Sequence, residues 1–213
     1  LNKELLDHPT ALPKAISDYA KTIDRGEIVL SPDESYQRYK ITPNGISPRA
    51  FPGHGRHFTV NSYEHDEIGL STETASEIKA MIDKRNKKNV LAQGEAFGPV
   101  VYGDENADIT LVGWGSTKMA VLEALKMLKE QKTKLKVNYL YFLCLSPFPT
   151  QNTITFLQKA KKIIDVETNS QAQLVDLIRE KTGIEIKDKI LKYDGRQFYP
   201  EEILSALNVI DKE

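Results

Sequence analysis

Three groups of residues in this sequence carry side chains suited to chemistry. The first is Gly113-Trp-Gly-Ser-Thr-Lys118, which joins an apolar run to a helical pattern. Ligands of open α/β sheets bind beyond the carboxyl ends of strands, and a helix start presents free N–H groups to an anion. Ser116 has the side chain of an N-cap. Gly113, Gly115, Ser116 and Thr117 are therefore candidates for contact with a ligand or a subunit. Any strand–helix junction also needs a tight turn and a cap, and this spacing is neither G-x-G-x-x-G nor a P-loop. Packing or subunit contact is the favoured reading. The second group is His54, His57, His65, Asp66 and Glu67. Imidazole and carboxylate are metal ligands, but the spacing matches no metal motif, and in regular structure His65, Asp66 and Glu67 point apart. A hydrogen-bonded polar surface or an interface is expected, with no metal. The third is Cys144, the single cysteine, in an apolar run. It reads as an inert core residue.

No nucleophile elbow, Ser/His/Asp order or paired-carboxylate motif is present, so no catalytic residue is assigned. One cysteine excludes a disulfide framework, points to a reducing compartment and a cytoplasmic location, and falls short of the four thiolates an Fe–S cluster ordinarily takes.

The elements that would position these groups fall into two parts. The chain has 213 residues, of which 40% are hydrophobic and 28% charged, with a net charge of −1. That balance gives no field favouring nucleic acid. No apolar run reaches the length of a membrane span, and the first residues lack the apolar centre of a signal peptide. Residues 1–95 read as an extended connecting segment broken by Pro9, Pro13, Pro32, Pro43, Pro48 and Pro52. A strand is expected over Arg56–Ser62 from its alternation, and a helix near 74–93, with Ile78, Met81 and Ile82 as a short apolar stripe.

Residues 96–213 alternate strand and helix. Strands are expected at Asp108–Gly115, Val137–Leu145, Lys162–Glu167 and Lys189–Tyr193. Helices are expected at Ser116–Gln131, Thr153–Ala160, Gln171–Thr182 (stopped by Gly183) and Pro200–Val209. Val121, Ala124, Leu125 and Leu128 recur at the helical spacing. This alternation predicts an α/β fold: a mostly parallel sheet with helices on both faces. Lys132, Lys134, Lys136, Lys161 and Lys162 bracket strands as solvated edges.

Several blocks together resemble one family. They are Tyr39-Lys-Ile-Thr-Pro-Asn-Gly-Ile-Ser-Pro-Arg-Ala-Phe-Pro-Gly53, Asn61-Ser-Tyr-Glu-His-Asp-Glu67, Met81-Ile-Asp-Lys-Arg85, the Trp-Gly-Ser-Thr turn, Val166-Glu-Thr-Asn169 with Gln173-Leu174, and Ile190-Leu-Lys-Tyr-Asp-Gly-Arg196. They are similar to the region after the pyrimidine-binding domain in alpha subunits of 2-oxoacid:ferredoxin oxidoreductases. Ala172 stands where that family often carries glycine.

The resemblance implies a domain like the C-terminal domain of transketolase, mainly supporting subunit assembly. For the whole complex it implies oxidative decarboxylation of a 2-oxoacid on thiamine diphosphate and Mg²⁺, transfer of the acyl group to CoA, and electron flow through an Fe–S cluster to ferredoxin. The substrate and diphosphate blocks of that family are absent; Ile41-Thr-Pro43 only echoes one, and Gly103-Asp104-Glu105 is not the other. No cofactor is therefore expected in this chain, which looks like a fragment, a separate domain or a split subunit. The partners implied are the pyrimidine-binding domain, the beta subunit and, through the complex, ferredoxin; a homo-oligomer is also open. Arg49, Asn61, His65, Asp66 and Glu67 are interface candidates, because family-specific loops usually contact something. In that role Arg49 would anchor a carboxylate, and Asp66 and Glu67 would receive basic groups. The alternative is a stand-alone Rossmann-like module holding a phosphorylated or CoA-like ligand at Gly113–Lys118.

Overall fold

In the computed structural model, which describes residues 26–104 and 106–210, the chain forms two compact units that divide between Gly94 and Glu95. Pro9 and Pro13, expected to break helices, lie outside the described residues.

The described residues of the first unit before its helix have little regular structure, because their backbone groups find partners one at a time. An isolated parallel bridge joins Ile28 to Arg49, and an antiparallel one joins His65 to Ser71. Tyr36 ties the Pro48–Ala50 stretch: its hydroxyl donates to Pro48 O at 3.2 Å and accepts from Ala50 N at 3.0 Å. The strand expected over Arg56–Ser62 does not form. Alternation there meets no partner strand, and Arg56 instead bonds Pro32 O through its backbone and Glu34 O through its guanidinium. Helix α1 spans Ala75–Glu95. At its start Glu77 accepts the Thr72 hydroxyl, and Thr72 Oγ1 accepts Thr74 N. Met81 and Lys84 are its buried side chains, while Ile82, expected in the apolar stripe, is exposed.

The second unit is a five-stranded sheet. Its elements are β1 Val100–Gly103, β2 Ile109–Trp114, α2 Thr117–Glu130, β3 Val137–Phe142, α3 Thr150–Leu157, β4 Lys162–Glu167, α4 Gln173–Thr182, β5 Asp188–Leu191 and α5 Pro200–Ile210. The spatial order is β1-β3-β2-β4-β5. Strands β2 to β5 run parallel, and β1 pairs antiparallel with β3. That edge strand was not expected from the sequence: four residues are too few to show a period, and only the β3 register (Val100 opposite Tyr141) defines it. β3 ends at Phe142, opposite Trp114, where β2 also ends. Leu143 and Cys144 therefore leave the sheet; Leu143 is 57% exposed and Cys144 half-buried rather than core.

Side chains of β2 are buried alternately on its two faces. Leu111 faces one core with Val121, Leu125, Tyr139, Ile164 and Leu207, under α2 and α5. Val112 faces the other with Leu140, Phe148, Leu157, Leu174 and Ile178, under α3 and α4. Helices thus cover both faces, as the α/β pattern demanded. α3 begins three residues before its expected start because the Pro149 carbonyl accepts both Thr153 N and, at 2.9 Å, Thr153 Oγ1. α4 begins after Ala172, which is fully buried and left-handed at φ 55°. A Cβ in that conformation costs about 1–2 kcal/mol, which explains why glycine suits this position. Gly183 closes α4 at φ 75°, and Lys161, an exposed edge lysine, reaches Asp108 at 2.7 Å.

Leu111→Ala, at the fully buried sheet centre, is expected to cost about 2–5 kcal/mol. Leu143→Ala should stay within about 0.5 kcal/mol. Urea denaturation of both variants checks the contrast.

Candidate functional site

The sheet connects from β2 to β3 on one side and from β4 to β5 on the other, so its switch point lies at the carboxyl ends of β2 and β4. The turn Gly113–Thr117 is there, and the structure explains its residues by packing. A Cβ on Gly113 would lie 2.9 Å from both Tyr139 Oη and Val166 O. Thr117 is buried; its hydroxyl donates to Trp114 O at 2.9 Å and lies 3.2 Å from Tyr139 Oη. Gly115 has φ 61° and open space where a Cβ would stand. Ser116 occupies the N-cap position of α2, yet at φ −74° and ψ −10° its side chain makes no capping hydrogen bond. The cap expected from its residue type is absent because that backbone is already helical.

The centre of the switch point is Glu167, which was not singled out as a site residue. It ends β4 and is 1% exposed. Its Oε2 accepts Trp114 Nε1 at 2.9 Å and Asn169 Nδ2 at 2.6 Å, and its Oε1 accepts Leu174 N at 2.7 Å. Asn169 Oδ1 in turn accepts Gln171 N and Ala172 N. One carboxylate thus joins two strands, a loop and the start of α4. The available signal was a Glu on the helix-covered face of a buried strand with Asn two residues on.

Two residues earlier, on the same face, Asp165 is fully buried and neither carboxyl oxygen has a hydrogen-bond partner. Burial, then the charge of Glu167, pushes its pKa up to about 8 against the weaker pull of Lys189, its register partner in β5. Asp165 is thus mostly neutral at pH 7, the form a buried carboxyl adopts without a counter-charge.

The other candidates lie in the first unit, engaged with their own chain. Arg49 donates its backbone N–H to Glu27 O and accepts from Val29 N. Asn61 Nδ2 donates to Gly69 O at 2.5 Å, and its Oδ1 accepts Tyr63 N. Asp66 Oδ1 accepts the backbone N–H groups of Ile68 and Leu70, and Glu67 Oε1 accepts Ile41 N at 2.7 Å. His65 is buried, with its ring 3.7 Å from that of Tyr39 and Nδ1 2.9 Å from Asp66 O. Among the described residues no three His, Cys, Asp or Glu side chains gather as a metal site. A groove of about 480 Å³ lined by Asp104, Leu125, Leu128, Lys134 and Lys136 lies at the amino end of β3, opposite the turn.

Comparison with known proteins places these features. Residues 107–203 match the family described as pyruvate:ferredoxin oxidoreductase core domain II. Subunit alpha of 2-oxoacid:ferredoxin oxidoreductase 2 from Aeropyrum pernix is 33% identical over 99% of this chain and 33% of its own length. The chain belongs to the 2-oxoacid:ferredoxin oxidoreductase alpha-subunit family. The alpha subunit of the Sulfurisphaera tokodaii enzyme 1 is 34% identical over 89% of this chain and 30% of its own. The solved 2-oxoglutarate:ferredoxin oxidoreductase of Magnetococcus marinus, with 2-oxoglutarate, coenzyme A and succinyl-CoA bound, is 31% identical with a TM-score of 0.67, over 84% of this chain and 32% of that one. The chain thus spans about a third of the length of these alpha subunits. No helix among its described residues is long and apolar enough to cross a membrane.

An aspartic acid with a raised native pKa binds more protons folded than unfolded. Its contribution to stability is full below the ordinary value of 3.8 and is lost as pH rises towards about 8. Asp165→Asn, which does not titrate, should therefore gain stability over the parent progressively between those values. Urea midpoints of both proteins at pH 5 and pH 8 measure it; an equal difference at the two pH values would show that Asp165 is ionised in the fold.

Proposed function

We propose that this chain is an assembly-supporting, non-catalytic part of a 2-oxoacid:ferredoxin oxidoreductase alpha subunit. In the complete enzyme a 2-oxoacid loses CO₂, its acyl group passes to CoA, and the released electron pair reduces ferredoxin. What supports the supporting role is the carboxyl end of the sheet: Glu167, Thr117 and Gly113 are filled by the chain's own groups. A module binding a phosphorylated or CoA-like ligand would hold such groups open, so the scaffold reading is favoured.

The residues present do not suit the cofactors of the complex. One half-buried cysteine does not furnish the thiolates of a cluster, and the described acidic and imidazole groups do not converge on a metal. Thiamine diphosphate, Mg²⁺, the cluster and CoA would be held by other parts of the enzyme. In this reading residues 96–213 are the α/β domain and 1–95 the connecting segment, in a cytoplasmic protein.

The loop around Asn61–Gly69 is the proposed contact with the pyrimidine-binding domain or beta subunit. Its charged groups serve its own backbone, but it exposes large apolar side chains: Val60, Tyr63, Ile68 and Leu70. Tyr63 is 74% exposed, and aromatic anchors carry much of the energy of interfaces. In the complete alpha subunit, Tyr63→Ala with Leu70→Ala should weaken beta-subunit binding about tenfold or more, read by titration calorimetry alongside 2-oxoacid-dependent dye reduction. The isolated chain, given thiamine diphosphate, Mg²⁺ and CoA, should reduce no dye. Turnover by clean chain would overturn the non-catalytic reading, and parental affinity in the double variant would overturn the contact.

A further inference from the structure

We propose that Lys84 and Arg38, which share the ring of Tyr39 in the first unit, form with Lys88, one helical turn beyond Lys84, a binding site for a phosphate group. Lys84 projects from α1 and is only 5% exposed, with its Nζ 5.8 Å from the centre of the Tyr39 ring. The guanidinium carbon of Arg38 lies 5.2 Å from the same centre. Among the described residues neither cation has a carboxylate within salt-bridge distance or a side-chain hydrogen bond. A buried ammonium without a counter-charge is costly. The tyrosine face offsets only part of that cost.

The nearby carboxylates are engaged elsewhere. Glu64 holds Arg85 through both oxygens, at 2.7 and 2.8 Å. Asp83 pairs with Lys79 at 2.5 Å. Asp66 caps two backbone N–H groups, and Glu67 Oε1 takes Ile41 N. The positive charge is therefore concentrated. Lys84 is pushed below its ordinary pKa by burial first, then by Lys88 and Arg38, with Glu67 opposing.

The walls are fixed before any ligand arrives. Tyr39 stacks on His65 at 3.7 Å. A Cβ on Gly69 would stand 3.2 Å from Tyr39 Cε2, and one on Gly45 would strike the Lys84 carbonyl and lie 3.2 Å from Lys88 Cγ. The Gly45 turn thus closes on the helix and the Gly69 turn on Thr59 and Tyr39, each where only glycine fits. Three cations opposed at Lys84 by Glu67 suit a dianion with several acceptor oxygens. A single carboxylate would leave charge over, whereas phosphate accepts from an ammonium and from the guanidinium fork together. The phosphate could be free or part of an ester.

The test uses the full chain with ¹³C-labelled lysine. The Lys84 Cε resonance, assigned by its loss in Lys84→Arg, is followed by NMR at constant ionic strength. Inorganic phosphate, a small phosphate monoester, succinate and chloride are added in separate titrations. Phosphate should give a saturable shift of Lys84, and Lys84→Met or Lys88→Met should weaken phosphate binding about tenfold. Lys126→Met, on α2, should leave it unchanged. Tighter binding of the monoester than of free phosphate would assign the site to a phosphorylated ligand, and the reverse to the free ion. A Lys84 shift that follows salt linearly, equal saturation by succinate, or parental affinity in Lys88→Met would overturn the proposal. The wild-type titration decides even if Lys84→Met does not fold.

Discussion

A buried carboxylate must be hydrogen-bonded, and in the second unit the ends of two strands and a helix are arranged around that requirement. Glu167 is 1% exposed and accepts from Trp114, Asn169 and the backbone of Leu174. Removing one partner from such a charge leaves its desolvation uncompensated. The bond to Trp114 ties β4 to β2, and the bond to Leu174 sets where α4 starts. Asn169, held by the same oxygen, binds the N–H groups of Gln171 and Ala172. Ala172 accepts a left-handed backbone there although it is not glycine. The strain is carried by the hydrogen bonds on either side of it.

Asp165 obeys the same rule in the opposite way. With no donor for either oxygen, it meets the cost of burial by keeping its proton. Two acidic residues on one face of one strand thus meet burial in different ways, because one has donors and the other does not.

The described residues of the first unit include few buried apolar side chains and are organised by polar and aromatic contacts. Tyr36 bonds both sides of Arg49, Tyr39 stacks on His65, and Arg85 clasps Glu64 from helix α1. The family-specific blocks lie on these contacts rather than in a core. Their residue types follow from internal geometry: Gly45 and Gly69 from close approach, Asp66 from capping. What remains unneutralised is the cationic group at Lys84, and what remains exposed is the apolar edge at Tyr63 and Leu70.

The sequence by itself determined the repeating elements of the second unit. Lys162–Glu167 was legible as a strand with its observed bounds, Gly183 as the stop of α4, and Pro200 as the start of α5. Periodicity is written in neighbouring residues, and Val121, Ala124, Leu125 and Leu128 all fall in the core they predicted. The family blocks were legible too, as residues in order. Only the tertiary structure decided what pairs at long range. Strand β1 exists because Val100–Gly103 lies against β3, and Arg56–Ser62 is not a strand because nothing lies against it. Trp114 and Glu167 are 53 residues apart, so no local pattern announces their bond. Lys84 reads as one more solvated charge on a polar helix until the fold buries it and sets its ammonium over the Tyr39 ring. Burial of a charge is set by what distant segments bring to it, and that is the quantity a local reading of sequence does not contain.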